Sequence, residues 1–264
     1  MHILSGSWRR LVSGERFWEI DALRGAAVVM MIIFHTVFAA SFLGVSPIDV
    51  LHGFWRGFAL ATATLFILIA GVSIWISSAR AGAVLGRWRL AAKNLRRGAG
   101  IFLVGLGITA ATWLFVRDEF VLFGVLQCIG LSIALSPLFL RFGKANLLIG
   151  AVIILLAPLV ATVDGPLSLA WIGIHPADFA SLDYVPLVPW LGVFLIGMSL
   201  GATAYPGGRR RFPAGGSDNP PLGPVAFIGR HSLVIYLVHV PFILLALALV
   251  FPGLGARMVS LFLS

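Results

Sequence analysis

The stretch 16–41, RFWEIDALRGAAVVMMIIFHTVFAAS, constrains this chain more than any other. It is apolar enough to cross a bilayer, yet it carries Asp21, Arg24 and His35. On a helix of 100° per residue, Arg24 and His35 lie three turns apart on one face, and Asp21 falls within about 40° of the same stripe. An ionisable group in hydrocarbon costs about 2.5–3.5 kcal/mol on insertion scales, so such a stripe turns toward protein, a partner or a wet cavity. Asp21 and Arg24, three positions apart, are expected to pair near the start of the helix. His35 lies about 20 Å further along than Asp21, well inside the apolar region. It is expected to line a polar cavity in the outer half of the helices, with Gln127 or His239 among its neighbours.

The rest of the chain repeats the pattern of long apolar runs. Of 264 residues, 59% are hydrophobic and 11% charged, and the mean hydropathy of +1.02 is outside the range of soluble domains. The expected fold is an all-α polytopic membrane protein, a single transmembrane domain over residues 1–264. Its seven spans are expected at roughly 20–42, 57–78, 98–116, 120–140, 145–163, 185–204 and 231–250.

The net charge of +9 could suggest nucleic acid, but the basic residues fall in short connections between apolar runs. Of the nineteen Lys and Arg residues, only Arg56, Arg117 and Arg257 lie on the opposite side from the other sixteen. That asymmetry predicts a cytoplasmic N-terminus and an external C-terminus. Cys128, the one cysteine, excludes an intramolecular disulfide and a Cys-based metal cluster. The first twenty residues lack an apolar core followed by a small-residue cleavage site, so the first span reads as a retained anchor.

Connections 164–184, outside, and 205–230, inside, are the longest. They have room for a lid or a short helix, and the Pro- and Gly-rich inner one reads as irregular. Chemistry therefore falls to the helices and their short loops. The third span carries Gly98, Gly100, Gly105 and Gly107, which allow close helix approach. Gln127 enters the fourth span about 10 Å from its outer end, where it either cross-links helices or faces the same pocket as His35. His231 belongs to the inner interface, and His239 lies eight residues deeper on nearly the same face. HxxxH, HExxH, GxSxG and phosphate-loop patterns are all missing, so no metal is expected.

Four blocks carry a resemblance: EIDALRGAAVVMMIIFH, GVLQCIGLSIAL, DYVPLVPWLGVFLIGMSLG and GRHSLVIYLVH. Together they resemble bacterial relatives of the heparan-α-glucosaminide N-acetyltransferase catalytic domain. The first is also similar to the opening helix of type-3 membrane acyltransferases, with Arg, ten residues, then His, as in Arg24 and His35. The resemblance implies transfer of an acetyl or other acyl group from acyl-CoA to a sugar or glycan acceptor, by a multi-pass protein of the bacterial inner membrane. In the lysosomal enzyme an Asn stands at the position of His35, and the proposed catalytic His lies in the following loop before a Trp. HGFW supplies His52 and Trp55 at that place here.

Imidazole serves acyl transfer either as base or as acyl carrier. The candidate catalytic residues are thus His35 and His52, with Gln127 as donor to a developing oxyanion. Candidate contacts to the donor are Arg24, Arg80, Arg87, Arg89, Arg230 and His239, the arginines matching CoA phosphates; topology alone also accounts for the basic residues. Two other classes stay open: a proton-coupled transporter relaying through Asp21, Arg24, His35 and His239, and a non-catalytic subunit of a larger membrane complex. A homo-oligomer is compatible with each.

Overall fold

The computed structural model describes residues 16–117, 119–213, 222–251 and 253–254. The expected basic residues Arg9, Arg10 and Arg257 and the acidic Asp118 lie outside them. The described residues are helical, with isolated bridges only at Phe123–Tyr184 and Asp164–His175. The helices are α1 (Trp18–Phe42), α2 (Gly53–Gly82), α3 (Arg87–Phe115), α4 (Val125–Phe139), α5 (Asn146–Leu155), α6 (Ala157–Val160), α7 (Leu187–Ala204), α8 (Gly223–Arg230) and α9 (Ser232–Val250). Six segments among the described residues are long and apolar enough to cross a membrane, the run Val125–Val160 counting as one. The protein is an all-α polytopic membrane protein.

The helix ends depart from the expected spans mainly on the basic side. Hydropathy places the second and third spans at 57–78 and 98–116, yet α2 continues to Gly82 and α3 starts at Arg87. Hydropathy marks where a helix is greasy, not where it ends. Arg, Lys, Leu and Ala are good helix formers, so the backbone keeps its internal hydrogen bonds through RWRLAAKNLRR. The connection shrinks to 83–86. Similarly, the connection 205–230 closes in a helix, α8, with Pro224 in its first turn.

The chain divides into two compact units. Among the described residues, one comprises residue 16 with 67–213, the other 17–66 with 222–254.

In the larger unit, Asn94 of α3 bonds to Ser78 of α2 while Leu90 meets Gly82, so these helices run antiparallel. Gly98 meets Gly130 and Ala134 while Gly105 meets Gln127, which sets α4 antiparallel to α3. Leu68 faces Gly197 and Trp75 faces Gly201, so α7 runs parallel to α2, and Gly150 and Ile154 against Ile196 and Gly192 make α5 antiparallel to α7. Taken together, α4 and α5 point in opposite directions. The Val125–Val160 run is folded back on itself at Gly143, whose φ of 51° lies where a side chain would be strained. Its two arms correspond to the expected fourth and fifth spans. Gly100 and Gly107 face open space and take no part in this packing.

The connection 161–186 is folded rather than extended. Leu182 and Val185 donate backbone hydrogen bonds to Glu119 and Phe123, and the Asp183 carboxylate accepts from the Val125 N–H at the start of α4 (3.1 Å). His175, Phe179 and Tyr184 pack ring against ring at 4.8–5.3 Å. The Tyr184 hydroxyl donates to the Ala170 carbonyl, and burial pushes its ionisation up to about 12.

In the smaller unit, α1 packs on α8 and on α9. A Cβ on Gly25 would collide with the Val225 backbone oxygen, and one on Gly229 with that of Asp21. Helix α8 therefore lies antiparallel against the first turns of α1, with only glycine able to allow the approach. Gly44, at φ 69°, ends α1 in the usual left-handed termination.

Candidate functional site

The Asp21–Arg24 pair forms as its spacing predicts, with Nη1 donating to Oδ1 at 3.0 Å, both side chains mostly shielded. Two acidic residues in the first turn of α1, Glu19 and Asp21, also suit the positive end of the helix dipole.

His35 lies eleven residues further along α1. Its Nδ1 is 2.9 Å from the Met31 carbonyl. A carbonyl only accepts, so Nδ1 carries the hydrogen, and in the neutral ring the lone pair falls on Nε2. Phe34 packs edge-on at 5.5 Å. The other wall is His239 of α9, with ring centroids 4.7 Å apart and planes at 86°. His239 is built the same way. Its Nδ1 donates to the Tyr236 carbonyl at 2.5 Å, which leaves Nε2 as the lone-pair nitrogen. That Nε2 is buried and has no hydrogen-bond partner, in a residue only 6% exposed.

Tyr236 lies 5.6 Å from His239 and meets Phe66 on its other side. Pro241, two residues on, has no N–H for the carbonyl one turn back, so α9 lacks a backbone hydrogen bond beside the histidine. The end of α8 lies at Asp21 and α9, which follows it directly, reaches His35 with His239, so α9 runs parallel to α1.

The remaining candidates have other surroundings. His52 lies in the connection between α1 and α2, its side chain 79% exposed, and its Nδ1 is 2.9 Å from Asp49. That hydrogen bond, with one from the Leu51 N–H, holds the Asp49 carboxyl below its ordinary range. Arg230 is exposed at the end of α8, its guanidinium over the Phe227 ring.

Gln127, Arg80, Arg87 and Arg89 belong to the larger unit. The Gln127 amide donates to the Gly105 carbonyl (3.0 Å) and the Thr109 hydroxyl (2.8 Å), while its oxygen accepts from the Gly124 N–H (3.1 Å). Both of its donor hydrogens are thus engaged in holding α3 to α4. Arg80 donates to the Gly208 carbonyl, and Arg87 and Arg89 are exposed at the start of α3. Sequence reasoning missed Asn94. At 0% exposure it donates to Ser78 and Ser136 and ties three helices together. The only sequence signal was an amide among apolar and basic residues.

The fold is thus that of a helical polytopic membrane protein, and within its smaller unit His35 and His239 pack ring against ring. The comparison with known families narrows it. The profile described as heparan-alpha-glucosaminide N-acetyltransferase, catalytic, matches residues 16–241, and the chain belongs to that family. No curated protein and no solved structure matches. The function carried by the family is that of a transmembrane acetyltransferase-like protein.

Proposed function

We propose that this protein transfers an acyl group, acetyl in the first instance, from acyl-CoA to a sugar or glycan acceptor, with His35 as the base. The observation that carries this reading is the histidine pair. An imidazole whose Nδ1 is engaged by a backbone carbonyl, packed against the buried ring of a second imidazole, is equipped to accept a proton on Nε2. His35 Nε2 takes the proton of the acceptor's hydroxyl or amine as that atom attacks the thioester carbonyl, and the leaving thiolate of CoA takes it back.

The exposed Arg87 and Arg89 are suited to the phosphates of the donor. The sixteen-to-three division of basic residues supports a cytoplasmic N-terminus and an external C-terminus. The residence proposed is the bacterial inner membrane. The engaged hydrogens of Gln127 leave oxyanion stabilisation to other donors.

The test is single-turnover loss of acyl group from labelled acyl-CoA by the purified protein, across hydroxyl and amine acceptors. Wild type is expected to transfer and His35→Ala to bind the donor without transferring. Absence of transfer by wild type to every acceptor would sink the proposal. Labelling of a cysteine at Arg87 by an impermeant reagent from outside intact cells, with Cys128 replaced, would overturn the orientation.

A further inference from the structure

We propose that His35 and His239 act as a single basic unit, in which the proton removed from the acceptor is shared between the two imidazoles. This deepens the acyl-transfer reading and rests on it. Three observations carry it.

The tautomers are forced. Each Nδ1–H is spent on a backbone carbonyl of its own helix, Met31 for His35 and Tyr236 for His239, so both Nε2 atoms present lone pairs. Next, His239 Nε2 is buried with no donor to satisfy it. An unsatisfied buried acceptor is unfavourable, and a proton or a donating ligand would complete it. Finally, the rings are in contact at 4.7 Å. Neither resting imidazole has a hydrogen to offer the other's Nε2, and one added proton supplies the missing donor. A second proton would set two like charges side by side away from water. The nearest charged side chain along α1 is Arg24, about 16 Å away by helical rise and held on Asp21. On α9 the sequence from Ser232 to Val250 has no charged residue.

The step balances without a further reactant. The acceptor's O–H or N–H bond breaks as its heteroatom bonds to the thioester carbon. The proton passes to the imidazole pair. Collapse of the intermediate breaks the C–S bond, and the thiolate takes the proton from the pair to leave free CoA. His239 is then a positioning residue acting through His35, and its own Nε2 holds the proton in transit.

The experiment uses full-length protein in detergent micelles with acyl-CoA and an active acceptor. His239→Asn keeps a short donor for the Tyr236 carbonyl and removes Nε2; His35→Asn does the same toward Met31. Each is expected to lower the single-turnover rate by about 100-fold or more, with donor affinity and thermal melting retained. The double variant is expected to fall no further than the slower single one, as residues acting as a unit do. Wild-type rates in His239→Asn, or a double loss equal to the product of the single losses, would overturn the proposal.

Nitrogen NMR of ¹⁵N-histidine-labelled wild type gives a readout free of folding and turnover. Both residues are expected as Nδ1–H, and an Nε2–H form of His239 at rest would overturn the proposal. Wild type that shows the expected tautomers but no transfer would support the paired base and overturn the acyl-transfer reading alone.

Discussion

Both units of this protein bury polar side chains among apolar helices, and they use them in opposite ways. In the larger unit, Asn94 bonds to Ser78 and Ser136, and Gln127 to Gly105, Thr109 and Gly124. These contacts join α2, α3 and α4. The smaller unit buries His239 with one nitrogen committed and the other left open beside His35. The larger unit also has unpaired atoms, among them the side-chain oxygens of Asn94 and Asn146. An amide oxygen left unpaired costs stability and has no further chemistry at neutral pH. An unpaired imidazole nitrogen is a base. The difference teaches that burial alone does not mark a reactive site; the chemistry of the atom left over does.

The largest effect expected from that contrast is on catalysis. His35→Ala should lower single-turnover acyl transfer by about 10²–10⁴-fold, the usual worth of a positioned general base, while the melting temperature stays near that of wild type. Loss of folding in step with activity would make His35 a structural residue like Asn94 and erase the contrast.

Next comes Gly25→Leu. Its side chain would run into the Val225 backbone, which cannot rotate away, so α8 must leave α1. A destabilisation of about 1–3 kcal/mol is expected, the range of overpacking, read as a lower melting temperature and faster proteolysis within 205–230. Unchanged melting would mean the close approach of α8 is not needed.

A smaller effect is expected from Gln127→Ala. Interhelical hydrogen bonds in membranes average about 0.6 kcal/mol, so losing those to Gly105 and Thr109 should lower stability by about 1 kcal/mol. Activity per folded molecule should be unchanged. A specific loss of turnover with full stability would move Gln127 into the chemistry.

The smallest effect is expected from His52→Ala. The Asp49 carboxyl held low by His52 contributes above the ordinary carboxylate range and loses that contribution as pH falls through its lowered value. Both side chains are solvated, so melting curves at pH 3 to 7 should superimpose on those of wild type. Transfer should also persist. If His52→Ala abolishes it instead, the base lies in the loop and not in the buried pair.

Much of this was legible in the sequence because it belongs to single helices. Apolar length sets the membrane class, since a backbone in hydrocarbon must satisfy itself. The three-residue spacing of Asp21 and Arg24 sets their pairing, and periodicity places His35 on the face with Arg24. Tertiary structure alone decided the partnerships. Nothing in 16–41 says that the opposite wall comes from His239, or that Gly143 folds Val125–Val160 back on itself. Helical period fixes which residues share a face, but not which face meets which. That choice is made by backbone approaches such as Gly25 on Val225 and Gly229 on Asp21, and these set α9 alongside α1. The same limit hid the role of Gln127. One amide reads alike as catalyst or cross-link until its neighbours Gly105 and Thr109 are in place to take its hydrogens.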